Sequence, residues 1–271
     1  NGLPPIDAMR VGLASMRSVP GLSDAAVAVG AAPVIAAAVT RDAPGLKAIA
    51  PDATLGHAAN FLHMLRGTIP ERDEAEALDA YLVTVADHGM NASTFASRVI
   101  ASTRADLFAA VTGGYCALTG PLHGGAPGPV LDMLDAIASE DRIEAWIESA
   151  LDDGDRLMGF GHRIYRTRDP RADVLRRVLL RLGRGAGRLA FAAKVEQGAL
   201  SALRRRKSGH ALDTNVEFYT ALLLEAIGVP RSAFTPTFAV GRMAGWTAHV
   251  LEHWRRGRLI RPDSEYDGPV P

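Results

Sequence analysis

Among its 271 residues the chain has a single cysteine, Cys116, so it can form no internal disulfide and no cysteine-rich zinc site, a composition suited to a reducing, cytoplasmic setting. It has no excess of either charge, since 30 Lys and Arg offset 30 Asp and Glu. Nucleic-acid binders carry a basic surplus to displace counterions, and surface-bound membrane proteins a basic amphipathic face, so neither partner is expected. Long apolar runs are missing too. The nearest, Ala25 to Val39, is built of Ala, Gly and Val around Gly30 and Pro33 and falls short of the roughly 20 residues that span a bilayer, so it reads as a buried helix. Sustained period-two alternation, the mark of half-buried strands, is scarce.

What is present is helical periodicity, and it predicts an all-α protein. Between Glu71 and Asp87, Ala75, Leu78, Leu82 and Val85 recur at three- and four-residue spacing behind Pro70 and an acidic start. Asp169-Pro170 supplies an N-cap and a first-turn proline for the stripe Ala172, Leu175, Val178, Leu179 and Leu182, which Gly183 stops. Similar stripes run through 130–137, 143–151, 189–203, 218–227 and 240–254. Gly- and Pro-rich punctuators separate them: 87–89, Thr112-Gly113-Gly114, 120–128, 159–161 and 183–187. The densest, 121–128, and a second at 228–230 suggest a large discontinuous domain (1–124 and 229–271) and a small one (125–228).

Three histidines, His88, His123 and His162, stand beside glycines at the ends of expected helices, where backbone can approach a ligand. Glu217 follows Asn215-Val216 at another helix start. Arg166, Arg171, Arg242 and Arg261 add forked donors suited to carboxylates, so the set describes a pocket for a small di- or tricarboxylate. Removing a proton beside a carbonyl needs a carboxylate base and a donor to the oxygen that becomes negative, a division of labour open to Glu217 and His123. Arg176, Arg177, Arg181 and Arg184 are expected only to solvate helix faces or to pair at helical spacing. Two other motifs compete: His249-Val250-Leu251-Glu252-His253 matches an H-x-x-E-H zinc pattern, and His123-Gly124-Gly125 an esterase oxyanion loop, which has no G-x-S-x-G turn to accompany it.

The segments Asp87 to Phe95, Gly120 to Ala126, Met158 to Arg166, Asp169-Pro170-Arg171, Asn215 to Tyr219, Gly241 to Trp246 and Arg261-Pro262 resemble citrate synthase, in order and at fitting distances. Several ordered motifs are far more specific than any one of them. The resemblance implies a two-domain helical fold with a cleft, and condensation of acetyl-CoA with oxaloacetate to citrate and free CoA, with no metal and no permanently bound cofactor. It implies that His123 donates to the thioester carbonyl, Glu217 takes the methyl proton and His162 serves the oxaloacetate carbonyl. His88, Arg171 and Arg242 correspond to oxaloacetate ligands, and Arg261 to one reaching the neighbouring site of a homodimer. Leu157, Met158, Gly159, Phe160, Gly161 and Arg166 correspond to the CoA-contacting stretch. Most of the family carries Asp where this chain has Glu217, which reads as a variant base. The resemblance begins near Pro5, so the family's further N-terminal helices are expected to be missing from this stretch. Two nearby readings remain: 2-methylcitrate synthase, acting on propionyl-CoA, and a non-catalytic relative that binds CoA or carboxylates.

Overall fold

A computed structural model of the chain describes residues 2–120, 123, 127–161, 168–206 and 212–269. Among them are twelve α-helices and no strand, the sole extended pairing being an isolated antiparallel bridge between Phe160 and Thr214. The all-α expectation therefore holds. His162 and Arg166, with most of the loop around His123, lie outside the described residues.

The helices that frame the site start where local chemistry dictates. Helix α4 (Arg72–Val85) opens with a capping box in which the Glu74 side chain accepts from the Glu71 amide at 2.9 Å. Helix α9 (Pro170–Leu182) has Asp169 as N-cap, Pro170 in its first turn and Gly183 in the left-handed conformation at its end. Asn215 caps α11 (Val216–Ala226), accepting from the Glu217 amide at 3.0 Å. The apolar faces of α9 and α11 pack together, α4 lies against α9, and the long α12 (Phe234–Arg256) crosses α4.

That last crossing is close because α12 carries two glycines one turn apart. A Cβ on Gly241 would stand 2.6 Å from the Val85 side chain, and one on Gly245 would stand 2.1 Å from the Ala86 carbonyl oxygen. The intervening Arg242 is thereby pressed onto the end of α4, where its Nε donates to the Val85 carbonyl at 2.7 Å. A similar approach corrects one expectation. Gly113 and Gly114 do not break the chain; they lie inside α6 (Leu107–Leu118) and let it pack on α5 (Ala92–Ser102), with Ser97 Oγ only 2.5 Å from a Cβ built on Gly114. Glycine in a helix interior costs up to about 1 kcal/mol, which close packing offsets.

The apolar run Ala25 to Val39 sits in α2 (Asp24–Asp42), which is long and apolar enough to cross a membrane by length and composition. Only the stripe Ala28, Ala32, Pro33, Ala36, Ala37 and Thr40 is buried, so the helix is half-covered rather than buried throughout.

Arg184 also departs from expectation. Instead of solvating a helix face it reaches Glu74 at 2.6 Å and Glu71 at 2.7 Å, tying the segment after α9 to the start of α4.

Candidate active site

The N-termini of α9 and α11 are fastened by one carboxylate. Asp169, buried, caps α9 through the Arg171 amide (3.0 Å), accepts the Val216 amide at 3.2 Å and grips the Arg171 guanidinium at both oxygens, at 3.0 and 2.8 Å. Arg171 and Glu217 are thus held on adjoining helix ends. The sequence marked Asp169 only as a cap; its second role spans 47 positions and leaves no local signal.

Glu217 is half-buried. Burial pushes its pKa up from 4.5 to about 7, with Arg171 opposing and Asp169 reinforcing the shift. A carboxylate poised there is half-ionised at neutral pH, which suits a general base.

His123 follows α6 in a turn, half-buried, with its Nε2 3.3 Å from the Ser93 amide and 2.9 Å from Ser93 Oγ. An amide N–H can only donate, so Nε2 accepts and the neutral ring carries its proton on Nδ1. Burial first, then the Arg242 charge, holds the imidazole below its ordinary pKa, favouring this neutral form. Ser93 is itself fixed: its hydroxyl meets Asn91 Oδ1 at 2.7 Å and accepts from Trp246 Nε1 at 3.2 Å. Ser93 and Trp246 lie within the motifs that carry the resemblance, but the Ser93–His123 contact and the Trp246 bond behind it were not legible there.

Arg242 is 1% exposed, its Nε on Val85 and its guanidinium 4.8 Å above the Phe238 ring. Every Asp and Glu lies among the described residues, and none pairs with it within 4.0 Å. Burial pulls its pKa down from 12.5 to about 10, and the charge of Arg171 adds to this. A buried cation without a counterion is costly unless a ligand anion supplies one.

The stretch Leu157 to Gly161 backs the site. Gly159 accepts the Asn215 amide at 2.9 Å, Gly161 donates to the Asp213 carbonyl at 2.8 Å, and the Asn215 amide side chain donates to the Gly161 carbonyl at 3.0 Å. Gly159 has φ +86°, and a Cβ there would lie 2.9 Å from Phe218, so glycine alone fits. Leu157 and Phe160 are buried and Met158 half-buried; Phe160 packs 5.4 Å from the Phe218 ring.

The remaining residues divide. His88 is half-buried just beyond α4. Asp87 beside it accepts from His249 Nε2 at 3.0 Å, while Arg98 donates to His249 Nδ1 at 3.0 Å and pairs with Glu252. His253 instead meets the Arg258 carbonyl at 3.0 Å. The H-x-x-E-H pattern therefore braces the His88 loop, and no group of three metal-binding side chains occurs among the described residues. Arg261 is exposed in the C-terminal tail and is not brought to the cluster. Two shallow clefts, one beside Gly198 and one beside Met16, contain none of these residues.

The description of the citrate synthase C-terminal domain matches residues 2–263. A citrate synthase of Haloferax volcanii is 43% identical over 237 residues, 87% of this chain and 62% of that protein. A 2-methylcitrate synthase of Mycobacterium tuberculosis is 38% identical over 238 residues, 87% of this chain and 59% of that one. The ternary complex of carboxymethyl coenzyme A and oxaloacetate with the Thermoplasma acidophilum citrate synthase superposes with a TM-score of 0.86 at 30% identity, over 98% of this chain and 72% of that one. The chain spans 56% to 63% of the length of the curated relatives it matches. With a match along nearly its whole length, the chain belongs to the citrate synthase family.

Proposed function

We propose that this chain carries the condensation of acetyl-CoA with oxaloacetate and water to give citrate and CoA. The observation that carries the reading is the buried Arg242, which no carboxylate pairs within 4.0 Å and which lies in the field of Arg171, itself acting on a carboxylate whose pKa stands near neutrality. An incoming dicarboxylate supplies the missing counterion. Glu217 then takes a methyl proton from the thioester, and the Nδ1–H of His123 donates to the carbonyl oxygen as it becomes enolic, so that neither charge develops unaided. The enol carbon attacks the ketone carbon of oxaloacetate; His162, by resemblance, protonates the resulting alkoxide. Water finally cleaves the thioester and releases CoA with a free thiol. None of these steps calls on a metal or a resident cofactor.

The family likeness further supports a cleft between a large domain (1–124 and 229–271) and a small one (125–228), closing on substrate, with 157–161 and Arg166 serving CoA. In the same reading the exposed Arg261 serves the neighbouring site of a homodimer. The 2-methylcitrate synthase relative gives propionyl-CoA a specific claim, because one methylene in an apolar pocket discriminates by only about 1–3 kcal/mol. The test is release of free thiol from each thioester with oxaloacetate. Faster turnover of acetyl-CoA is expected. Faster turnover of propionyl-CoA reassigns the substrate, and oxaloacetate-dependent thermal stabilisation without thiol release from either makes the chain a binding protein.

A further inference from the structure

Tyr81, on α4, is completely buried, and among the described residues its hydroxyl has no hydrogen-bond partner. Three threonine hydroxyls share that condition, Thr94, Thr112 and Thr237, but each sits inside a helix whose own carbonyls are within reach of a short side chain. A phenol cannot fold back in that way. An unmet buried hydroxyl is destabilising, so its retention points to a partner that arrives from outside.

Its position says what that partner is. Tyr81 lies one helical turn before Val85, whose carbonyl holds Arg242, so the two share one side of the α4 end. The charges whose fields reach its hydroxyl are those of Arg242, Glu217 and Arg171, the same groups that frame the site. Burial raises the phenol's pKa well above its ordinary value, with Arg242 and Arg171 opposing, so it remains a proton donor throughout the working range.

We propose that Tyr81 contacts the substrate directly, its O–H donating to an oxygen of the carboxylate that Arg242 receives. This rests on the functional reading above and adds a neutral third donor to two guanidinium forks. In the absence of substrate the hydroxyl is buried and, among the described residues, unsatisfied; the carboxylate satisfies it on entry, so part of the affinity for the dicarboxylate comes from relieving that penalty.

The test is Tyr81→Phe, which deletes one oxygen and keeps the packing. Thiol-release kinetics should show the KM for oxaloacetate raised about ten-fold or more, as for loss of a hydrogen bond to a charged group, with the KM for acetyl-CoA changed less than about two-fold. Thermal unfolding without ligand should be unchanged or shifted upward, while added oxaloacetate stabilises the variant less than wild type. An unchanged oxaloacetate KM and an undiminished stabilisation would overturn the proposal alone. So would a lowered unfolding midpoint without ligand, since that reports a partner inside the protein. If wild type itself shows no response to oxaloacetate, both this assignment and the functional reading fall.

Discussion

Two glutamates occupy nearly the same local position in this protein and have opposite characters. Glu74 and Glu217 each stand in the first turn of a helix, α4 and α11, where the helix dipole favours negative charge. Glu74 receives Arg66 at 2.9 and 2.7 Å, Arg184 at 2.6 Å and the Glu71 amide at 2.9 Å. Chiefly through Arg66, its pKa falls from 4.5 to about 2. Glu217 has a guanidinium nearby as well, but Arg171 is already gripped by Asp169, so burial prevails and the pKa rises to about 7. What separates a carboxylate held ionised from one held near neutrality here is whether the adjacent arginine is committed elsewhere. Asp169 is the residue that makes the difference.

The comparison breaks most sharply under amide substitution. Glu217→Gln keeps shape and removes the base, so kcat for thiol release should fall by about 10²–10⁴ with folding intact; a near-wild-type rate would remove Glu217 from the chemistry. Glu74→Gln should leave kcat within a few-fold and instead lower stability by about 2 kcal/mol, because Arg66 and Arg184 lose their shared acceptor, an effect reduced from the fully buried case by the partial exposure of both arginines. Urea denaturation reads this directly, and an unchanged midpoint would show that the ion cluster is dispensable.

Titration sharpens the contrast with a smaller signal. The folded protein holds the Glu217 proton to about pH 7, whereas the unfolded chain releases it near 4.5. As pH rises from 4.5 to 7 the wild type therefore loses stability relative to Glu217→Gln, by about 3 kcal/mol, and the gap stays constant above. Glu74 runs the other way: its stabilisation is complete above pH 4.5 and disappears as pH falls towards 2. Unfolding midpoints of wild type and the two variants across pH 3 to 8 should show these opposite slopes. Parallel curves would mean that the two carboxylates are not distinguished by their surroundings.

Much of the candidate site was legible before folding, because its residues sit at punctuation points. His88, His123, Asn215-Glu217 and Asp169-Pro170-Arg171 all mark helix ends, where caps and glycines announce themselves locally. The places of Tyr81, Ser93 and Trp246 around the candidate site were not legible, since each lies at a helical position that reads equally as core. Gly113 and Gly114 were misread as a break for a related reason: nothing local distinguishes a glycine that ends a helix from one that admits a neighbouring helix.

By itself, the sequence determined the helical class, the positions of most helix ends and the inventory of reactive side chains, all of which depend on periodicity and capping within a few residues. Only the tertiary structure decided which arginine neutralises which carboxylate. Ion pairing and burial depend on groups far apart in the chain, such as Arg184 with Glu74 or Asp169 with Val216, and those separations are closed only when α4, α9, α11 and α12 pack together.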